Sequence, residues 1–271
     1  PLYPTSRADR PHIIKCQATG KYICWIKHCG DDACFTVLQA DRFLGPYEVV
    51  KTHYRPFNHE VGDFDITVCS DTAYLYMDAD HSGLLTMRLT TDFTEAAEKI
   101  CWQYKNLHAP FCREAPAVFS HEGKWFMLTS GMTGYVPNRS DSAAANSPDA
   151  PFLSIGNPHV EDDSCASFNS QISQVFKVPS KRGLYIALAD RWVPDYPVDA
   201  KLADLLERCT AQRFDPKHYK ATPEEMQHMM QSPMLSSANT SRADYVWLPI
   251  TFENGKPKIH WCDSWKLSEF E

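Results

Sequence analysis

Along this chain, apolar stretches with alternating polar positions return again and again, each pair broken by a turn of small or polar residues. HIIKCQATGKYICWI (residues 12–26) reads as a strand, a Thr-Gly-Lys turn and an aromatic strand. ITVCSDTAYLYM (66–77), APAVFSHEGKWFMLTS (115–130), VFKVPSKRGLYIAL (175–188) and WLPITFENGKPKIHW (247–261) have the same form. Their turns centre on Gly20, Asp71, Gly123, Gly183 and Gly255, residue types for which positive φ or a side-chain turn bond comes at little cost. After the first hairpin come two further short strands, CFTVLQA and PYEVV. Four strands per unit at a period of roughly fifty residues is the pattern of β-propeller blades. It predicts an all-β fold of four blades, at 10–52, 63–100, 112–156 and 168–265, within one domain over residues 1–271. A β-sandwich of short strands is the alternative. The last blade is interrupted over 196–241, where DAKLADLLERC and TPEEMQHMM have helical periodicity. The second helix should start with Thr222 as N-cap, Pro223 at the first position and Glu224 and Glu225 in the first turn. The polar run PNRSDSAAANSPDAP (137–151) predicts a long loop over a functional face.

Composition narrows the function classes. Hydrophobic residues make up 43% of the 271 positions, enough for a packed core, and aromatics at 12% would suit a surface that stacks on sugar rings. A net charge of −7 argues against nucleic-acid binding, and no apolar run is long enough to span a membrane. The chain opens on PLYPTS without a signal peptide, so a trimmed, mature form is expected. The ten cysteines form no repeating framework. The group Cys24, His28, Cys29 and Cys34 has ligand-type residues without paired knuckles, so buried thiols or a local Cys29–Cys34 disulfide are favoured over zinc. Two sequons, at Asn138 and Asn239, point to the extracellular space or the secretory pathway.

The starts of successive hairpins carry charge where core is expected. They are Asp9-Arg10, Asp63 with Asp65, Arg113-Glu114, and Asn169-Ser170-Gln171. In a propeller such positions converge on one mouth. Facing carboxyl groups in a polar pocket are what glycoside hydrolysis requires: one protonates the leaving oxygen, while another group directs water to the opposite ring face.

The motifs REAPAVFSHEGKWFMLTSGMTGYVPN, DRPHIIKCQATGKYICWI, FDITVCSDTAYLYM, FNSQ, ADRW and YVWLPITFENGKPKIHWCDSW, spread from Asp9 to Trp265, resemble the exo-β-1,3-galactanase subgroup of glycoside hydrolase family 43. That resemblance implies a five-bladed propeller and an inverting enzyme that needs neither cofactor nor metal. It puts the general acid at Glu114, a carboxylate that orients and tunes it at Asp65, and a water-holding amide at Gln171. Gln171 is expected to stand across from the other two. It further implies substrate contacts at Asp9, Arg10, Thr133, Tyr135, Asn138, Asn169, Arg191, Trp192 and Trp247, with a polysaccharide or oligosaccharide as substrate. Relatives have another blade before the match to DRPHII, whereas eight residues precede Asp9 here. A second polypeptide is therefore expected to complete the ring, over faces bared at Ile13, Ile14, Tyr22 and Trp25 in the first blade and Val246, Leu248 and Ile250 in the last. The competing reading is a propeller without activity, serving as a carbohydrate-binding or assembly subunit.

Overall fold

The computed structural model describes residues 8–30, 33–232 and 239–270; the opening PLYPTS and residues 233–238 of the expected helical stretch lie outside them. Among the described residues, every strand falls in one of four four-stranded antiparallel meanders, the form of a propeller blade, and these occupy two compact units.

The first unit runs to Asn106 and includes Asn146–Pro151. One sheet has the order β1 (Ala8–Lys15), β2 (Tyr22–His28), β3 (Cys34–Ala40), β4 (Glu48–Tyr54). The other has β5 (Val61–Cys69), β6 (Thr72–Ala79), β7 (Leu84–Leu89), β8 (Ala96–Gln103). Alternation decides what lies between them. Ile23, Trp25, Phe35 and Val37 from the first sheet and Phe64, Ile66, Leu75, Met77 and Met87 from the second form one core. Phe35 meets Trp25 and Phe64 edge to face at ring separations of 5.1 and 4.7 Å, contacts that each add about 1 kcal/mol beyond burial. The Trp25 indole N–H is satisfied by the Phe93 carbonyl at 2.9 Å.

The second unit holds Leu107–Ala145 and the chain from Phe152. Its sheets are β9 (Glu114–His121), β10 (Lys124–Ser130), β11 (Ser140–Ala145), β12 (Leu153–Gly156), and β13 (Gln171–Lys177), β14 (Tyr185–Arg191), β15 (Asp244–Glu253), β16 (Lys256–Ile259). Phe119, Phe126, Leu128, Tyr185, Ala187, Leu248 and Ile250 make its core. Between β14 and β15 lie helices α1 (Ala200–Phe214) and α2 (Pro223–Met230). Asp199 caps α1 by accepting from the Leu202 N–H, and Thr222 and Glu225 close the capping box expected for α2. Among the described residues, no helix is long and apolar enough to cross a membrane.

The turns behave as expected. Glu122-Gly123 and Asn254-Gly255 both take positive φ at successive residues, the geometry that matches hairpin twist.

Three expectations need correction. The loop predicted over 137–151 contains β11, which pairs with both β10 and β12. Its SDSAAA sequence has poor strand propensity, and pairing on both sides compensates for it. The Cys29–Cys34 disulfide is absent, since all ten cysteines are free thiols. Burial raises the Cys24 thiol to about 11, and His28 bonds Thr36 at 2.9 Å. Among the described residues, no cluster of His, Cys, Asp or Glu is arranged to hold a metal. Last, most of the residues expected to be bared are covered: Ile14, Trp25, Val246, Leu248 and Ile250 are buried because they face the partner sheet of their own unit, while Ile13 and Tyr22 are partly buried. The exposed apolar groups are others, among them Tyr245, Trp247 and Phe176 in the second unit and Phe43, Leu44 and Val49 in the first.

Candidate active site

The first strand of each sheet breaks register near its polar start. The breaks fall between Asp9 and His12 in β1, between Val61 and Phe64 in β5, opposite Leu128 and Ser130 in β9, and between Ile172 and Gln174 in β13. A bulge re-aims the side chains beside it, and bulges concentrate next to functional sites. Two residues in them, Arg10 (φ 47°) and Ala115 (φ 49°), hold left-handed backbone that a side chain disfavours. Such strain persists only where the surroundings impose it.

In the second unit the bulge after Glu114 brings its carboxylate to Gln171, whose amide Nε2 donates to Glu114 Oε1 at 3.0 Å and to Ser130 Oγ at 2.8 Å. A carboxylate only accepts, so this contact sets which end of the amide faces Glu114. Gln171 is therefore beside Glu114, not across from it. Arg113 explains the charged pair at the strand start: its guanidinium turns to β10, donating to Thr129 Oγ1 (3.0 Å), the Thr129 carbonyl (2.8 Å) and the Arg139 carbonyl (3.1 Å).

Gln171 is delivered by a strained loop. Cys165, Ser167, Phe168 and Asn169 all have positive φ. Asp162 braces it by accepting from the Phe168 N–H, and Arg191 donates to the carbonyls of Phe168 (2.8 Å) and Asn169 (3.3 Å). His159 locks it from below. Its Nδ1–H donates to Asn157 Oδ1 at 3.0 Å, and its Nε2 accepts from Ser167 Oγ at 2.9 Å. Burial, partly offset by the Asp162 carboxylate, holds His159 down at about 4.

The other expected contacts divide. Thr133 and Asn138 are buried and bonded to each other at 2.7 Å, so they shape the 131–139 loop. Asn138 Nδ2 also donates to the Gly131 carbonyl, which takes this sequon out of reach of glycosylation in the folded chain. Tyr135, 41% exposed, meets Trp192 with ring centroids 5.8 Å apart. Asn169 accepts from the Val198 N–H at 3.2 Å, and Arg191 also covers the Trp261 ring. Trp247 lies on β15, two strands over from Gln171, on an exposed face with Tyr245.

Gly131 leaves little room for a side chain. A Cβ there would stand 2.5 Å from the Pro110 carbonyl and 3.2 Å from Asn138 Oδ1. Gly131→Ala should destabilise the protein by about 2 kcal/mol, the range for overpacking, read as a lowered urea midpoint. An unchanged midpoint would show that the loop can yield.

In the first unit, Asp65 is 3% exposed and bonded to His12 Nε2 at 3.0 Å. Asp63 pairs with Arg10 (3.0 Å) and Lys27 (2.6 Å). Burial would raise its pKa, but the Arg10 guanidinium and Lys27 ammonium hold it below the usual carboxylate value. Asp9 is half exposed, 3.5 Å from Lys27, and accepts from the Cys29 thiol at 2.9 Å. Sequence reading missed Ser130, His12, Lys27 and the Arg113 contacts. The bulge-prone polar strand starts were the available signal.

No protein-family model matches the chain, and no curated protein matches it. Solved structures do. A family 43 β-1,3-galactosidase superposes with a TM-score of 0.74 at 26% identity, covering 97% of this chain and 47% of its own. A second such galactosidase, solved with galactodeoxynojirimycin, gives 0.70 at 22% identity, covering 96% of this chain and 77% of its own. The exo-β-1,3-galactanase of Phanerochaete chrysosporium, solved with β-1,3-galactotriose, gives 0.68 at 19%, covering 96% of this chain and 51% of its own. The chain thus spans about half the length of the first and third. Its fold is that of the family 43 glycoside hydrolases, and the structures it resembles include their β-1,3-galactanases and β-1,3-galactosidases.

Proposed function

We propose that the chain is the catalytic propeller of an inverting glycoside hydrolase that removes galactose from the ends of β-1,3-linked galactans. The observation that carries this reading is the Glu114–Gln171–Ser130 constellation at two bulged strand starts. Glu114 serves as general acid to the glycosidic oxygen. The Gln171 amide oxygen can accept from a water while its Nε2 keeps the bond to Ser130. Inversion needs roughly 6.5–9.5 Å between its two catalytic groups, so on this reading the 3.0 Å Gln171–Glu114 contact opens when the sugar enters, and the freed amide holds the water across the ring. For Asp65, bonded to His12 in its own unit, the motif resemblance implies a supporting role. Asp9, Arg10, Tyr135, Trp192 and Trp247 are offered as sugar contacts. Thr133, Asn138, Asn169 and Arg191 act through the loops they hold. Such an enzyme would work in the extracellular space or the secretory pathway, where its substrates are met.

A second reading is a sugar-binding or assembly subunit, favoured by the exposed face of Tyr245, Trp247 and Phe176. On either reading that face is open to a second polypeptide. The native protein, incubated with β-1,3-galactooligosaccharides from pH 4 to 8, is expected to release galactose alone. Sugar binding without release across that range would establish the second reading.

A further inference from the structure

Helix α1 stands over the loop that leads into the candidate site. Val136, fully buried, is the loop's contribution to a small core of Ala166, Val198, Ala203, Leu206 and Met229. Three positions along the chain, Arg139 reaches the same helix. It donates to Glu207 Oε2 at 2.8 Å and also bonds Asp204 Oδ1. These carboxylates are one turn apart, so one guanidinium spans both. The Arg139 backbone meanwhile binds the site: its carbonyl accepts from Arg113, the residue before Glu114, at 3.1 Å, and from the Gly131 N–H at 3.3 Å. Arg113 also lies within the field of Glu207.

We propose that α1 positions the candidate site: through Arg139 it fixes both the 131–139 loop and the strand start that presents Glu114, with Arg139 and Glu207 as positioning residues. This rests on reading Glu114 as the general acid, but the clamp has its own signature. An exposed ion pair alone contributes little. Here one side chain closes a loop held at four points (Val136, Arg139, Asn138 and Arg113), so its removal should free a local unit rather than the whole fold.

The test is amide hydrogen exchange on the intact protein carrying Arg139→Met, Arg139→Lys or Glu207→Gln. Arg139→Met should speed exchange about tenfold across 131–139 and at the start of β9, leaving β14 and β15 at the wild-type rate. Glu207→Gln should have a smaller effect at the same places. Arg139→Lys keeps a charge without the fork and should recover part of the protection. Where galactose release is measurable, kcat/KM should fall about tenfold in Arg139→Met through kcat, since the acid is misplaced rather than lost. Unchanged exchange in 131–139 would overturn the proposal, as would acceleration spread evenly over the second unit. If no variant, nor the wild type, hydrolyses galactan, the exchange pattern still decides the clamp, and the failure belongs to the hydrolase reading.

Discussion

Replacing Glu114 by Gln is expected to lower galactose release from β-1,3-galactan at least about a hundredfold, the share that general acid catalysis supplies. The fold should survive, because a glutamine oxygen can still accept from Gln171 Nε2, the contact that Glu114 Oε1 makes at 3.0 Å. What is lost is the proton for the leaving oxygen. An aryl galactoside whose phenolate leaves unaided should therefore suffer far less from the same substitution. Equal losses on both substrates would indicate that Glu114 binds sugar and is not the acid. Unchanged turnover on galactan would remove it from the mechanism altogether.

The second large effect concerns stability and pH. His159 is buried and held at about 4, against 6.5 for the free side chain. Between those values the unfolded chain takes up a proton that the folded chain refuses, so the unfolded state gains as pH falls. The contribution is fully present above about pH 6.5 and is lost towards pH 4. It amounts to roughly 3 kcal/mol, at 1.36 kcal/mol for each unit of pKa. Because His159 braces Ser167 within the loop ahead of Gln171, this acid sensitivity should begin at the candidate site. Urea denaturation at pH 7 and pH 4.5 should show a large drop for the wild type. His159→Gln, less stable at pH 7 through its altered bonds, should drop less over the same interval. Parallel losses in the two proteins would mean that the histidine titrates freely in the fold.

How much of this was legible in the sequence depended on how local the physics was. Turns such as Glu122-Gly123 and Asn254-Gly255 are set within two residues, and they were read directly. So was the capping box of Thr222 and Glu225, closed within one helical turn. β11 was missed because alanine and serine carry no strand signal. Its place is decided by partners on β10 and β12 that a local window does not contain. Glu114 and Gln171 were found through motif resemblance and their polar positions at apolar strands. Their direct bond, across 57 residues, was not legible, and neither was the role of Ser130 at 41. Thr133 and Asn138 were expected as substrate contacts, yet both side chains turn inward to hold the 131–139 loop. Trp247 was nominated as an aromatic in a motif, but residue type alone does not tell which sheet face an indole covers. The faces expected to be bare illustrate the same limit. Alternation identified Trp25 and Leu248 as apolar-face residues, but not which neighbour that face would meet.

The most direct measurement is the anomeric form of the first galactose released. Proton NMR, recorded during the opening minutes of digestion of a β-1,3-galactooligosaccharide and before mutarotation, distinguishes the two forms. The account predicts α-galactose first, with the β-anomer growing in later, as water held near Gln171 attacks the face opposite Glu114. β-Galactose as the first product would contradict it, because retention requires a nucleophilic carboxylate about 5–5.5 Å from the acid, where this account has an amide and a water.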